Sequence, residues 1–535
     1  MNNEIIYEIY PLTFNYAAGS ESDPYKGAYG NLKGITEMAD YVKSIGVDTV
    51  WIAPFYKWNK TGMGYDIIDY YNVDPMFGTN NDFKELVDVY HQKGLRVIVD
   101  QVYNHCSQEH EWFKKSIKRE EPYTDYFVWA DAKGYDENGK PVVPNNWPST
   151  WDSSGESVWA WNEERQQFYM HSFDVSMPNL NINNPKVRTE LLNVARHWLD
   201  MGVDGFRLDG SCHYGYDPRL LDNPLLPSGE QMRIYDINHK IGCSFLDEIQ
   251  DLTNSYAGKK TLLSEYVFDK GRYGNAKGKN TIRDSICSAF YIGSLKGGLA
   301  DFPKAVEAAL AVSPKGKKLN WALSNHDLER VASRFFGEKY SQKKSVMLMD
   351  MLTTLPGSIC LFQGEELGLP NPRCLENAKN RKNDPREVWL NAGMPWDGAR
   401  GGFCKSFRDD DVSRNMSLRP TPEQRILAVD RQEKFPDSML NQTRRLLKRR
   451  NESFLKEYGD VKFFETGNDE VIAFSRSNQE GKYKVFAYNF SEKNVKVKIP
   501  LANGHLSFSL PAETSHETKG YYTYSRQNLR TNRGR

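Results

Sequence analysis

The chain lacks an excess of charge of either sign: Lys plus Arg and Asp plus Glu each number 70 among 535 residues, so the net charge is zero. That excludes the basic footprint by which a protein captures nucleic acid electrostatically. Cysteine is sparse. The seven residues, at positions 106, 212, 243, 287, 360, 374 and 404, are odd in number and form no C-x-x-C pair. Neither a disulfide framework nor a zinc site is built that way, and the pattern suits a reducing compartment. The start, Met-Asn-Asn-Glu4, lacks the basic opening and apolar core of a secretory signal. No apolar run is long enough to span a membrane; the longest, from Val346 to Phe362, is interrupted by Asp350. Internal repeats are lacking too. The expectation is a cytoplasmic protein that engages neither nucleic acid nor membrane, with its oligomeric state left open.

What the chain does have is a rhythm of short apolar runs. They fall at Ile5–Tyr10, Val47–Ile52, Leu95–Asp100, Val203–Asp209, Thr261–Glu265, Ser285–Ile292, Asn320–Ser324 and Ser358–Phe362. Between several of them lie helical patterns. Asn81 is placed to cap one with Phe83, Leu86, Val87 and Tyr90 on a single face, ended by Gly94. Asn184 followed by Pro185 opens another, with Val187, Leu191, Val194, Trp198 and Leu199 inward and Gly202 at its end. Eight strands alternating with helices predict an α/β fold, a closed parallel (β/α)8 TIM barrel, with a doubly wound open sheet as the alternative. The stretch 105–174 is loop-rich and dense in Trp, Pro, Gly and Asn; as an insertion after the third strand it would wall a cleft. From 459 the rhythm changes to short strands with polar turns, which predicts a C-terminal antiparallel β-sandwich over 459–535 ending in a basic tail. The barrel would then comprise 1–104 and 175–458.

Four of the runs end in a carboxylate: Val-Ile-Val-Asp100, Phe-Arg-Leu-Asp209, Leu-Leu-Ser-Glu265 and Leu-Ser-Asn-His-Asp327. In a barrel of this kind the C-terminal strand ends surround one cleft, so these acids would meet although far apart in sequence. Strand alternation puts Arg207 and Asp209 on one face, and an arginine there would hold the carboxylate ionised, as a nucleophile needs. Glu265, behind an apolar strand, would be partly desolvated and its pKa raised, as a general acid needs. His105 and His326 supply neighbouring imidazoles. Singly, each acid would as readily cap a helix or a turn. Together they are the apparatus of glycosidic bond cleavage.

On these residues the chain resembles the α-amylase superfamily of glycoside hydrolases and transglycosylases, family 13 in type. The matching segments are Asp100-Gln-Val-Tyr-Asn-His105, Gly205-Phe-Arg-Leu-Asp209, Glu265 and Asn325-His-Asp327. Further segments, Gly64-Tyr65-Asp66, Pro144-Asn-Asn-Trp147, Pro178-Asn-Leu-Asn181, Gln363-Gly-Glu-Glu366 and Met394-Pro-Trp396, are most similar to the exo-acting α-glucosidase and oligo-1,6-glucosidase branch. The resemblance implies Asp209 as nucleophile, Glu265 as acid/base and Asp327 as stabiliser of the distorted sugar. It also implies that Arg207, His105 and His326 bind the sugar in subsite −1, that Tyr65 stacks beneath it, and that Asp100 orients Arg207. Asp66, Trp151 and Phe173 are further candidates for the substrate-binding wall. The expected substrate is a small α-linked oligosaccharide, and no cofactor is expected.

Two departures stand out. Exo-acting members carry an Asp two residues before the Gly-Tyr-Asp, paired with an Arg ahead of the Met-Pro-Trp segment; here those places hold Gly62 and Asn391. Losing one member would strand a buried charge, so their joint absence is consistent. It predicts an altered −1 pocket, with Arg386 or Asn391 and another acid doing the same work as the alternative. Met177 and Gly210 also stand where other residues are usual in the family, and both bear on linkage preference. The stretch Ser20–Gly27 is too poor in oxygen ligands for the calcium loop many members carry, so no metal is expected. Three functions remain open: hydrolysis, transfer to a sugar or phosphate acceptor, and a non-catalytic partner subunit, which the intact acids oppose.

Overall fold

The computed structural model describes residues 4–17, 29–150, 156–265, 286–287, 298–312, 319–372, 393–399, 420–452, 455, 459–478, 482–501, 504–518 and 522–523. Eight parallel strands close into a barrel: β1 (Ile5–Ile9), β2 (Thr49–Ile52), β3 (Arg96–Gln101), β4 (Gly205–Leu208), β5 (Thr261–Glu265), β6 (Ile286–Cys287), β7 (Asn320–Ala322) and β8 (Ser358–Phe362). Each pairs with its sequence neighbour, and β1 pairs with β8 to complete the ring. Every run expected as a strand contains one, and the open-sheet alternative is excluded by the closure. The helix expected after β2 spans Asn80–Gln92, with Phe83, Leu86, Val87 and Tyr90 buried. Its cap is Thr79 rather than Asn81, because Thr79 and Asp82 satisfy each other's backbone N–H in a capping box. The helix Pro185–Asp200 begins at the Asn184 cap and buries the apolar stripe read from its spacing.

Side chains of alternate residues enter the barrel and stack in layers. Glu4, Thr49, Arg96 and Thr261 form a polar floor, with Arg96 and Thr49 both bonded to Glu4. Above it Ile6, Trp51, Ile98, Leu263, Ala322 and Cys360 make a dry layer. The same parity, continued two residues further, brings Glu8, Asp100, Arg207 and Glu265 to the C-terminal mouth. Residues of opposite parity, such as Phe206 and Leu208, are fully buried in the main core.

The segment after β3 carries an antiparallel sheet of Trp129–Ala130, Gln167–Met170 and Trp159–Asn162, with its own core around Trp147, Val158 and Phe168. Bridges His105–Asn179 and Phe127–Leu180 tie its two ends together beside the mouth. Near the C-terminus an antiparallel sheet built on Val471–Ser477 and Lys482–Asn489 shares a core with the hairpin Val495–Leu501/Gly504–Leu510. No helix of the described residues is long and apolar enough to cross a membrane.

Candidate active site

Arg207 is the hub. Its side chain is 1% exposed, and it donates through Nη1 to both oxygens of Asp100 (3.0 and 2.9 Å) and to Asp209 Oδ1 at 2.7 Å, and through Nη2 to Glu265 Oε2 at 2.6 Å. Neighbouring strands explain the arrangement: Arg207 lies opposite Asp100 of β3 in register, and Glu265 ends β5 on its other side. Asp100 is fully buried and also accepts from Trp51 Nε1 (3.2 Å) and the Tyr65 hydroxyl (3.0 Å). Arg207 stands over the Trp51 ring with its guanidinium carbon 4.9 Å from the centroid. The guanidinium is therefore sealed and aimed from below, while Asp209 and Glu265, with side chains 11% and 13% exposed, reach the opening.

Among the described residues, Glu265 is held at one side-chain oxygen. Oε2 accepts from Arg207 and from the backbone N–H of Gly210 at 2.8 Å. Gly210 has φ of +50°, a turn that aims this N–H back at β5 and that glycine adopts at little cost. In the same way Arg207 holds Asp209 Oδ1. Each carboxylate thus has one anchored oxygen.

Arg207 acts on Asp209 in the direction expected from the sequence, but against strong burial. Burial pushes Asp209 up to about 6; Arg207 pulls it down, but Asp100 and Asp327 add like charge. The arginine beside it therefore limits the rise and does not reverse it. Burial raises Glu265 to about 7, again opposed by Arg207 and reinforced by Asp209 and Asp327. That direction is the one expected for a general acid.

His326 and Asp327 complete the mouth. His326 Nε2 lies 2.7 Å from the Tyr65 hydroxyl and 3.3 Å from Asp327 Oδ2, and the His326 and Tyr65 rings stack at 5.1 Å. His105 packs edge-on against Phe173 (5.2 Å), which in turn meets His213 (5.1 Å). A Cβ on Gly210 would meet the Phe173 ring at 3.2 Å, so Phe173 closes the wall next to Asp209.

Asp66 stands apart from the Arg207 cluster. It is fully buried and its Oδ2 accepts from the backbone and hydroxyl of Thr61 (3.0 and 2.7 Å), fixing the turn that carries Gly62. At Gly62 a Cβ would fall 2.1 Å from Met177 Cε and 2.9 Å from Asp66 Cβ. The thioether methyl of Met177 occupies the place where any side chain at 62 would begin. Trp151, Asn391, Arg386 and the Ser20–Gly27 stretch lie outside the described residues. Sequence reasoning missed Glu8, buried beneath His326 with Oε1 2.6 Å from Nδ1. Its signal was present: Glu8 shares the inward parity of Ile6 in an otherwise apolar strand.

A closed parallel barrel with acids from several strand ends gathered on one arginine defines a sugar-cleaving barrel enzyme, a glycosidase. The chain belongs to the α-amylase family, whose catalytic domain matches residues 8–459. It is similar to an α-glucosidase of Apis mellifera, 30% identical over 93% of this chain and 87% of that protein. It is also similar to a probable α-glucosidase of Rhizobium meliloti (strain 1021), 33% identical over 93% and 90%. Among solved structures, the α-glucosyl transfer enzyme XgtA superposes with a TM-score of 0.79 at 30% identity, covering 96% of this chain and 98% of that one. The trehalulose synthase MutB from Pseudomonas mesoacidophila MX-45 gives 0.78 at 26% identity, covering 96% and 98%.

Proposed function

We propose that the protein is a retaining α-glycoside hydrolase acting from the chain end on small α-linked oligosaccharides, with α-glucosides as the substrate class. The observation that supports this best is the shared guanidinium: Asp209 and Glu265, from adjacent strands, are each anchored at one oxygen by the two arms of Arg207. The free oxygen of Asp209 attacks the anomeric carbon while Glu265 gives its proton, carried on Oε1, to the leaving oxygen. Water then surrenders a proton to Glu265 and its oxygen displaces Asp209 from the sugar. Asp327 stabilises the flattened, positively charged ring. His105, His326 and Arg207 fix hydroxyls and carboxylates, Tyr65 lies under the ring, and Asp100 orients Arg207. A cytoplasmic setting belongs to the proposal; seven scattered cysteines without a C-x-x-C pair suit it.

The −1 pocket is altered in this reading. Gly62 and Asn391 replace a charged pair, and the Met177 methyl makes the wall at Gly62 apolar. The favoured donor is then a glucoside substituted at its far edge, or a sugar of related configuration. Transfer to an acceptor is the second reading, favoured by the likeness to an α-glucosyl transfer enzyme. Proton NMR of nitrophenyl α-glucoside turnover tests the mechanism. The α-anomer of the sugar is expected first, and β-anomer first would overturn it. Parallel rates on galactoside and 6-substituted glucosides test the pocket, and products formed with added sugar or phosphate separate transfer from hydrolysis.

A further inference from the structure

We propose that Glu8 on β1 is a positioning residue that keeps both ring nitrogens of His326 protonated and holds the ring so that its Nε2–H is given to the Tyr65 hydroxyl, with Asp327 beside it at the sugar subsite. The inference rests on the assignment of Asp327 and His326 to the sugar in subsite −1. The Tyr65 hydroxyl has one hydrogen, and it goes to Asp100 Oδ2 at 3.0 Å. At 2.7 Å from His326 Nε2 the same oxygen therefore accepts, so Nε2 carries a proton. On the other edge Nδ1 faces Glu8 Oε1 at 2.6 Å, the short separation of a charge-assisted bond. A neutral ring would turn a lone pair toward one of these acceptors.

The surroundings fix the ring in that orientation. Tyr65 and Tyr10 lie nearly parallel to it, with centroids at 5.1 and 6.2 Å, and Trp51 meets it edge-on at 5.9 Å. Glu8 is fully buried and its Oε2 has no hydrogen-bond partner among the described residues, so its carboxylate spends its interaction on His326 alone. Among the described residues, the charged and titratable groups facing the imidazole are Glu8 from β1, Tyr10 just after it, Asp327 from its own loop, Tyr65, Asp100 from β3, Arg207 from β4 and Asp209 at its end. Among these, acidic groups outnumber the single cation. In keeping with this, Asp327 and Glu8 raise His326 to about 9 although burial and Arg207 act the other way.

Glu8→Gln keeps an acceptor oxygen beneath Nδ1 and removes its charge. With 13C-labelled histidine, the His326 resonance, assigned by its loss in His326→Gln, is expected to titrate above pH 8 in the wild type and near the ordinary value of about 6.5 in Glu8→Gln. The kcat/KM of Glu8→Gln should fall roughly 10- to 100-fold, as for other misplacements of a binding group, with the deficit growing between pH 5.5 and 8. A merely structural role would give a deficit independent of pH. Titration of wild-type His326 near or below 6.5 overturns the proposal even where the variant fails to fold, and so does a variant that titrates like the wild type. The titration uses enzyme without substrate, so it decides the role of Glu8 separately from any failure of the hydrolase assignment.

Discussion

Gly62→Ala is the smallest change that probes the wall at Gly62, where the proposed alteration of the −1 pocket lies. The new methyl would sit 2.1 Å from Met177 Cε and 2.9 Å from Asp66 Cβ, where carbon atoms pack at about 3.5–4 Å. Overpacking a buried site costs about 1–3 kcal/mol. Met177, although the nearer group, accounts for only about half of this, since its thioether end rotates readily. Asp66 cannot give way as easily, because two bonds from Thr61 hold it and it is fully buried. A cost of about 2 kcal/mol for Gly62→Ala follows, falling to about 1 kcal/mol when Met177 is already Ala, a coupling of about 1 kcal/mol between residues in contact. Urea unfolding of the four proteins of the cycle measures it, read as midpoints at constant slope. An equal cost in both backgrounds, or no cost in either, would refute the packing described for this wall. Adding rates on glucoside and 6-substituted glucoside to the same four proteins tells whether the contact also sets the donor.

The pH dependence of kcat/KM should be a narrow bell. Asp209, at about 6, must be ionised, so rate is lost as pH falls through 6; Glu265, at about 7, must be protonated, so rate is lost as pH rises through 7. A profile flat from pH 5 to 8 would contradict the burial of the pair. Arg207→Lys retains a charge but not the fork that anchors two carboxylates at once; kcat/KM should fall at least roughly 100-fold while circular dichroism stays native. Near-full activity would show that the shared guanidinium is dispensable. Dialysis against a chelator should leave activity unchanged, and loss restored by calcium would reverse that expectation.

The barrel was legible because a parallel strand buried on both faces reads as a continuous apolar run, and the mouth because several runs stop at a carboxylate. Attention to run ends is also why Glu8 escaped. It lies inside Ile-Ile-Tyr-Glu-Ile-Tyr, and only the alternation through Glu4 and Ile6 marks it as facing inward. The contact of Gly62 with Met177 joins positions far apart in sequence, and no local pattern encodes it. Asp66 carried a motif, but its bonds to Thr61 show it shaping a turn. At Asp209 the sequence shows the neighbouring arginine, which lowers the pKa as expected, but not the depth of burial, which is the larger effect.

Charge in the mouth is layered, and the layering has a consequence for ligands. The cations lie deep, with Arg207 and His326 side chains 1% and 2% exposed, while Asp209, Glu265 and Asp327 reach 11%, 13% and 8%. A ligand entering the cleft therefore meets negative charge first, an arrangement that favours a ring acquiring positive charge over the neutral sugar from which it forms. A polyhydroxylated piperidinium carrying two N-methyl groups keeps its charge at every pH and isolates this effect. Burial lifts Asp209 to about 6, so the proposed nucleophile gains negative charge as pH rises from 5 to 7. The inhibition constant of that cation should therefore tighten by roughly tenfold over the interval, the equivalent of about one pKa unit of differential interaction. An uncharged carbocyclic analogue should show no such trend. Affinity for the cation that is flat or weakens from pH 5 to 7 would mean that Asp209 and its neighbours do not face the position the sugar ring occupies.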